Sequence, residues 1–230
     1  MVLNIGHRGF AGKYNHNSKE GILKAIEEKV DMIEFDIRIC GSGELILYHD
    51  GRLSNSNQFI HETSLIILQK YVMTFEELID IYKNSLYKPK LLLDIKTSLD
   101  NNPNYTTKIV EDINKYINEG IINYDDIICS SFNTQLLKEI YQKNKKIALG
   151  FITSYIDLEL TLIPVGLPLK SVSLYYQELN KEIVVKLKGR NIMVLTYTVN
   201  DKNDFKKCIE MDVDGIITDF PVELNKFIDI

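Results

Sequence analysis

With 230 residues the chain can bury a substantial core and falls in the size range of one α/β barrel, so 1–230 reads as a single domain. Its 27 basic against 32 acidic residues, a net charge of −5, give no electrostatic footprint for nucleic acid and no polybasic segment for anionic lipid. No membrane-spanning run is visible, the first residues enter a strand pattern without a secretion signal, and three scattered cysteines (Cys40, Cys129, Cys208) argue against a disulfide framework; the expectation is a cytoplasmic protein.

Along the chain, apolar runs of strand length alternate with helical patterns. The spacing predicts strands over 2–6, 31–37, 90–95, 126–131, 146–152, 169–175, 192–198 and 214–218. Between them it predicts helices over 18–28, 74–83, 105–118, 133–143, 180–188, 201–211 and 221–228, with Ser18, Thr74, Asn133 and Asp201 as N-caps. Eight strands in strict alternation with helices favour a TIM (β/α)8 barrel over an open doubly wound sheet. In such a barrel the strand ends converge on one mouth, where active sites lie.

Polar residues stand where that mouth should be. His7 and Arg8 close the first strand, Glu34 and Asp36 the second, Asp94 and Lys96 the third, Ser131 the fourth. Side chains alternate faces along a strand, so Glu34 and Asp36 share one side. After Cys40 the turn Gly41-Ser42-Gly43-Glu44 leads into the apolar run Leu45 to Tyr48, a small hairpin extension after strand 2. With Ser42 and Gly43 in a two-residue turn, Asp36 falls opposite His49, which returns an imidazole to the carboxylates. Ser131 alone reads more simply as a group satisfying nearby backbone.

This inventory suits metal-assisted attack on a phosphate ester. Grouped buried carboxylates need a compensating charge, and hard oxygen donors select Mg²⁺ or Ca²⁺ over zinc. A phosphodiester is an anion with a poor leaving group, so the site must neutralise charge and move protons. The cation, Arg8 and Lys96 serve the first need. His7 and His49 serve the second as general acid and base, in an order the sequence leaves open.

His7-Arg8-Gly9, Glu34-x-Asp36 and His49-Asp50 together resemble the HR…ExD…HD signature of the glycerophosphodiester phosphodiesterases. Asn17-Ser18, Leu93-Asp94-Ile95-Lys96, Ser130-Ser131-Phe132, Tyr197-Thr198-Val199-Asn200 and the closing run Asp214 to Asp219 resemble further family motifs in the same order. The resemblance implies hydrolysis of small glycerophosphodiesters to an alcohol and sn-glycerol 3-phosphate, with attack by the glycerol 2-hydroxyl. It also implies Asp94 as a third cation ligand and Tyr197, in place of a common Trp, as an apolar platform for substrate. Departures are His16 where the family has Glu, Asp94 where it has the longer Glu, and Asn55 where an Arg often stands. His16 is expected to face solvent, and His61 has no expected role. Two other readings fit the same residues: a phospholipase D-like enzyme acting on lysophospholipids or sphingomyelin, and an inactive barrel kept as a binding module. Oligomeric state is not encoded in any motif.

Overall fold

Strand β1 (Leu3–His7) pairs in parallel with both β2 (Met32–Ile39) and β10 (Gly215–Thr218), and this double pairing closes the sheet. The computed structural model describes residues 1–54, 56–97, 104–157 and 166–228, so Asn55 lies outside the described residues. Between β2 and β10 run β5 (Lys90–Ile95), β6 (Ile127–Ser131), β7 (Ala148–Thr153), β8 (Leu169–Tyr175) and β9 (Met193–Tyr197), each parallel to its neighbours. The result is a closed eight-stranded TIM barrel with two additional strands, β3 (Leu45–Leu47) and β4 (Met73–Thr74).

The helices are α1 (Lys19–Glu27), α2 (Leu65–Leu68), α3 (Phe75–Asn84), α4 (Tyr105–Asn118), α5 (Thr134–Lys143), α6 (Lys181–Lys188), α7 (Lys202–Glu210) and α8 (Pro221–Ile228). The expected caps close their first turns. Ser18, Thr74, Asn133 and Asp201 each accept a backbone N–H with a side-chain oxygen, and Thr74 forms a reciprocal capping box with Glu77. Each long helix turns apolar residues such as Ile22, Leu78, Ile109, Leu137 and Leu187 onto the outer face of the barrel, forming the main core.

Inside the barrel a second, smaller core of Ile5, Met32, Leu92, Ile128, Leu195 and Ile217 plugs the lower half. The alternation that aims these residues inward aims their i+2 neighbours inward one layer higher. That layer holds His7, Glu34, Asp94, Ser130, Tyr197 and Asp219. The apolar plug is the floor on which the polar mouth stands.

The hairpin departs from expectation. Ile37 pairs with Leu47 and Ile39 with Leu45, one residue out of the predicted register, so Tyr48 rather than His49 stands opposite Asp36 and donates its N–H to the Asp36 carbonyl. The cause is the turn, which has three residues. Cys40 and Glu44 bracket Gly41-Ser42-Gly43, with Gly43 at φ +99° in the left-handed region. The return strand β3 then pairs on its outer edge with β4, a two-residue strand too short to show in the sequence pattern. No helix among the described residues is long and apolar enough to cross a membrane.

A Cβ at Gly43 would meet no neighbouring atom within 4 Å, so a side chain there costs only backbone strain. Gly43→Ala should lower stability by about 1–2 kcal/mol, read from urea denaturation. Unchanged stability would contradict a left-handed residue at this turn.

Candidate active site

The mouth of the barrel holds a cavity of about 200 Å³, lined on one side by His7, Arg8, Glu34, Asp36, His49, Asp94 and Lys96. The other side is lined by Phe132, Ile152, Ser173 and Tyr197, over Leu92 and Ile217. Above that floor the charged side chains lie on the β1–β2–β5 side and the aromatic ones on the β6–β9 side. A larger groove of about 660 Å³ between α1 and α3 carries scattered Lys, Glu and Asp, and among the described residues the convergent set of ligating groups lies in the smaller cavity.

Parallel register puts Asp36 beside Asp94 on adjacent strands, with Glu34 two residues below Asp36. All three carboxylates are buried, and one oxygen from each lies within 4.8 Å of the others. Lys96 answers two of them, its Nζ standing 2.8 Å from Asp36 Oδ1 and 2.5 Å from Asp94 Oδ2. Arg8 adds its Nε 3.0 Å from Asp36 Oδ2, while its backbone N–H donates to Glu34 Oε2 at 3.0 Å. That double use is possible because Arg8 takes a left-handed backbone (φ +49°), followed by Gly9 at +88°. A Cβ at Gly9 would lie 2.8 Å from the Gly21 backbone, so only glycine fits there.

The electrostatics follow from this arrangement. Burial pushes Glu34 up to about 7, with repulsion from Asp36 as the second cause. Burial would raise Asp36 as well, but Lys96 and Arg8 outweigh it and hold that carboxyl below its usual range. For Asp94 burial prevails over the attraction of Lys96, and the group is raised. With all three carboxylates ionised, two cations leave the cluster one charge short of neutrality, a deficit that only a proton on Glu34 or a further cation removes, and Asp94 Oδ1 is buried with no hydrogen-bond partner among the described residues. An all-oxygen set with an orphaned acceptor fits a hard divalent cation. Asp94, despite lacking one methylene relative to Glu, contributes an oxygen to the group.

The remaining predicted residues gather at the same cavity. His7, its side chain 15% exposed, has Nδ1 2.6 Å from Asp219 Oδ1 and Nε2 3.9 Å from Glu34 Oε2. His49 is 45% exposed and has Nδ1 2.8 Å from Asp50 Oδ1. Strand pairing does not bring His49 there, since β3 has already ended; Arg38 does. Its Nε and one terminal nitrogen donate to the His49 carbonyl at 3.0 and 2.7 Å, and the other terminal nitrogen reaches the Thr97 carbonyl. Tyr197 packs against Phe132 and Tyr175 with ring centroids 6.2 Å apart in each case, and burial raises its hydroxyl, which stays neutral. Ser131 donates to the Ile95 carbonyl and accepts from Asn133 N–H, the backbone role expected of it. His16 is exposed, as expected, yet it also meets Arg8 at 2.9 Å. His61 stacks on Phe59 behind the site and does not line the cavity.

Sequence reasoning gave no role to four residues that shape this site: Asn17, Arg38, Asn200 and Asp219. Asn17 Nδ2 donates to Asp36 Oδ2 at 2.8 Å and its Oδ1 accepts the Asp36 N–H, orienting the carboxylate. Arg38 continues the 34, 36 alternation by two residues, a signal visible in the sequence. Asp219 and Asn200 lie just beyond the ends of the last two barrel strands, and barrel closure places Asp219 beside His7 with Asn200 behind it.

Glu34 yields a pH test. A carboxyl at about 7 when folded and near 4.5 when exposed keeps a proton that the unfolded chain has released. Its stabilising effect is therefore fully present below about 4.5 and lost as pH rises through about 7. Glu34→Gln, neutral throughout, should exceed wild type in stability above pH 7 by on the order of 1–3 kcal/mol and converge with it in acid. His16, lowered by burial and by Arg8, works in the opposite sense in both proteins and cancels in the comparison. Urea denaturation in EDTA at several pH values checks this, and a gap that does not widen with pH contradicts it.

Residues 7–223 match the sequence profile of the Glycerophosphoryl diester phosphodiesterase family. A Glycerophosphodiester phosphodiesterase of Caldanaerobacter subterraneus subsp. tengcongensis is 24% identical over 241 residues, covering 97% of this chain and 96% of its own. Among solved structures, an Oleispira antarctica phosphodiesterase in complex with the product sn-glycerol-3-phosphate superposes with a TM-score of 0.87 at 22% identity, covering 98% of this chain and 96% of that one. A glycerophosphodiester phosphodiesterase from Parabacteroides distasonis superposes with a TM-score of 0.84 at 20% identity, covering 100% and 98%. With the barrel, the acidic cluster and both histidines in hand, the match over nearly the whole sequence shows that the chain belongs to the glycerophosphoryl diester phosphodiesterase family.

Proposed function

We propose that the chain, acting as one catalytic domain, hydrolyses small glycerophosphodiesters to an alcohol and sn-glycerol 3-phosphate by histidine acid-base catalysis. The observation that carries this reading is that His7 and His49 line the same cavity as the three carboxylates, each with Nδ1 held by an aspartate. That leaves one further ring nitrogen on each imidazole for proton transfer. One takes the proton of the attacking glycerol 2-hydroxyl and the other protonates the departing alcohol oxygen, leaving a cyclic phosphate that water then opens to sn-glycerol 3-phosphate. Arg8 and Lys96 bring positive charge to the wall against which a phosphodiester anion would lie. Tyr197, with Phe132, offers the apolar face for the carbon skeleton.

Glu34, Asp36 and Asp94 would hold one divalent cation, Mg²⁺ or Ca²⁺. When bound, it supplies Lewis-acid polarisation of a phosphoryl oxygen and a template for substrate hydroxyls. The three buried, unpaired cysteines accord with a reducing, cytoplasmic setting. A second reading, cleavage of lysophospholipids, draws support from the exposed aromatics Phe132 (50%) and Tyr155 (54%) just beyond the strand ends β6 and β7, where an acyl chain could rest.

The test follows ³¹P NMR of the protein with Mg²⁺ or Ca²⁺ and glycerophosphocholine, then lysophosphatidylcholine. Release of sn-glycerol 3-phosphate from the first is expected. Cleavage of the lipid alone selects the second reading, and cleavage of neither makes the barrel a binding module. His7→Ala and His49→Ala should each lower kcat by about 10² to 10⁴. Near wild-type turnover in either variant contradicts its acid-base role.

A further inference from the structure

We propose that Asn200 and Asp219 form a positioning relay that fixes the tautomer of His7, with the proton on Nδ1 and the Nε2 lone pair free, and that one backbone N–H sets its direction. The inference deepens the catalytic reading above and rests on it for its effect on turnover, though not for its geometry.

The direction of the relay is set by a group that can only donate. The backbone N–H of Asp219 donates to Asn200 Oδ1 at 2.9 Å. Thr218 Oγ1 contacts the same oxygen at 3.2 Å and itself accepts the Phe220 N–H, so its hydroxyl hydrogen is free for Asn200. These two donors identify which end of the Asn200 amide is oxygen. The Asn200 NH₂ must then face Asp219 Oδ2, 2.6 Å away. Asp219 is left with Oδ1, 2.6 Å from His7 Nδ1. An ionised carboxylate has nothing to donate, so the hydrogen in this last bond belongs to the imidazole. Its other nitrogen, Nε2, on the Glu34 side of the ring, carries the lone pair.

Topology supplies the relay. His7, Asp219 and Asn200 stand at or just beyond the ends of β1, β10 and β9, three successive strands, where the closing pair Gly6 and Thr218 brings residues 7 and 219 side by side. The Asp219 carbonyl accepts Gly12 N–H at 2.9 Å, so its backbone is held from the first loop as well. His49 has no comparable support. Its Nδ1 partner is its own neighbour Asp50, 65% exposed, and among the described residues no second side chain orients that carboxylate.

The relay makes a prediction that a merely structural contact would not. In Asp219→Asn the shape is unchanged, but the Asn200 NH₂ claims the new amide's oxygen and turns its NH₂ towards His7 Nδ1. The imidazole proton must then move to Nε2. Adding Asn200→Asp reverses the polarity again: the new carboxylate can only accept, so the amide at 219 turns its NH₂ to it and its oxygen to His7. The double variant thus regains the original tautomer.

The experiment is ¹⁵N NMR of histidine-labelled protein at about pH 9, well above the ordinary imidazole range, with steady-state kinetics on glycerophosphocholine. Wild type should show protonated Nδ1 and bare Nε2. Asp219→Asn should show the reverse, with kcat down by about 10² to 10⁴ and KM changed much less. The double variant should restore the wild-type tautomer and recover at least about tenfold in kcat over the single one. An Nε2-protonated ring in wild type overturns the relay, whatever the variants do. So does an unchanged tautomer in Asp219→Asn. A tautomer that inverts as described while turnover stays constant supports the relay and refutes the catalytic role of His7, which separates the two claims.

Discussion

Three carboxylates buried within 4.8 Å of one another impose the central constraint on this barrel. Such a cluster is costly in a low-dielectric interior unless positive charge or protonation relieves it. The protein uses both. Lys96 stands between Asp36 and Asp94, Arg8 reaches Asp36 from the first loop, and Glu34, raised by burial and by Asp36, is the group driven towards its neutral form. The left-handed Arg8-Gly9 turn and the Asn17 clasp on Asp36 serve the same cluster.

The fold converts a simple alternation into this arrangement. On β2 the inward series runs Met32, Glu34, Asp36, Arg38: one residue in the apolar plug, two in the cluster, and one that anchors the His49 loop. On β5 it runs Leu92, Asp94, Lys96. The β6–β9 strands supply Ile128, Ser130, Ser173 and Tyr197 at corresponding positions, so the far wall is uncharged. The cavity therefore sets a charged wall against an aromatic one, a division that would suit the proposed phosphodiester substrate, which joins a charged phosphoryl group to carbon skeletons.

Much of this could be read from the sequence because the barrel strands are local apolar runs and the helix caps are local polar signals; the structure reproduces Ser18, Thr74, Asn133 and Asp201 at their helix starts. The Glu34 and Asp36 pairing was legible for the same reason, since it depends only on a period of two. The hairpin register was not. Gly41-Ser42-Gly43 suits a two-residue or a three-residue turn equally well, and the choice shifts every partner by one position. His49 still lines the cavity, held by Arg38 instead of by strand pairing. Asp219 lay beyond local reasoning altogether, because its contact with His7 spans 212 residues and exists only once the barrel closes. Its position at the end of the last strand was the available clue.

Whether the acidic cluster takes up a cation is tested most directly by calorimetric titration of Ca²⁺ and Mg²⁺ into EDTA-stripped protein. One ion per chain, with the two metals competing and the affinity falling at least about tenfold in both Asp36→Asn and Asp94→Asn, is the predicted result. No measurable binding of either metal, or binding that both variants leave untouched, would contradict it.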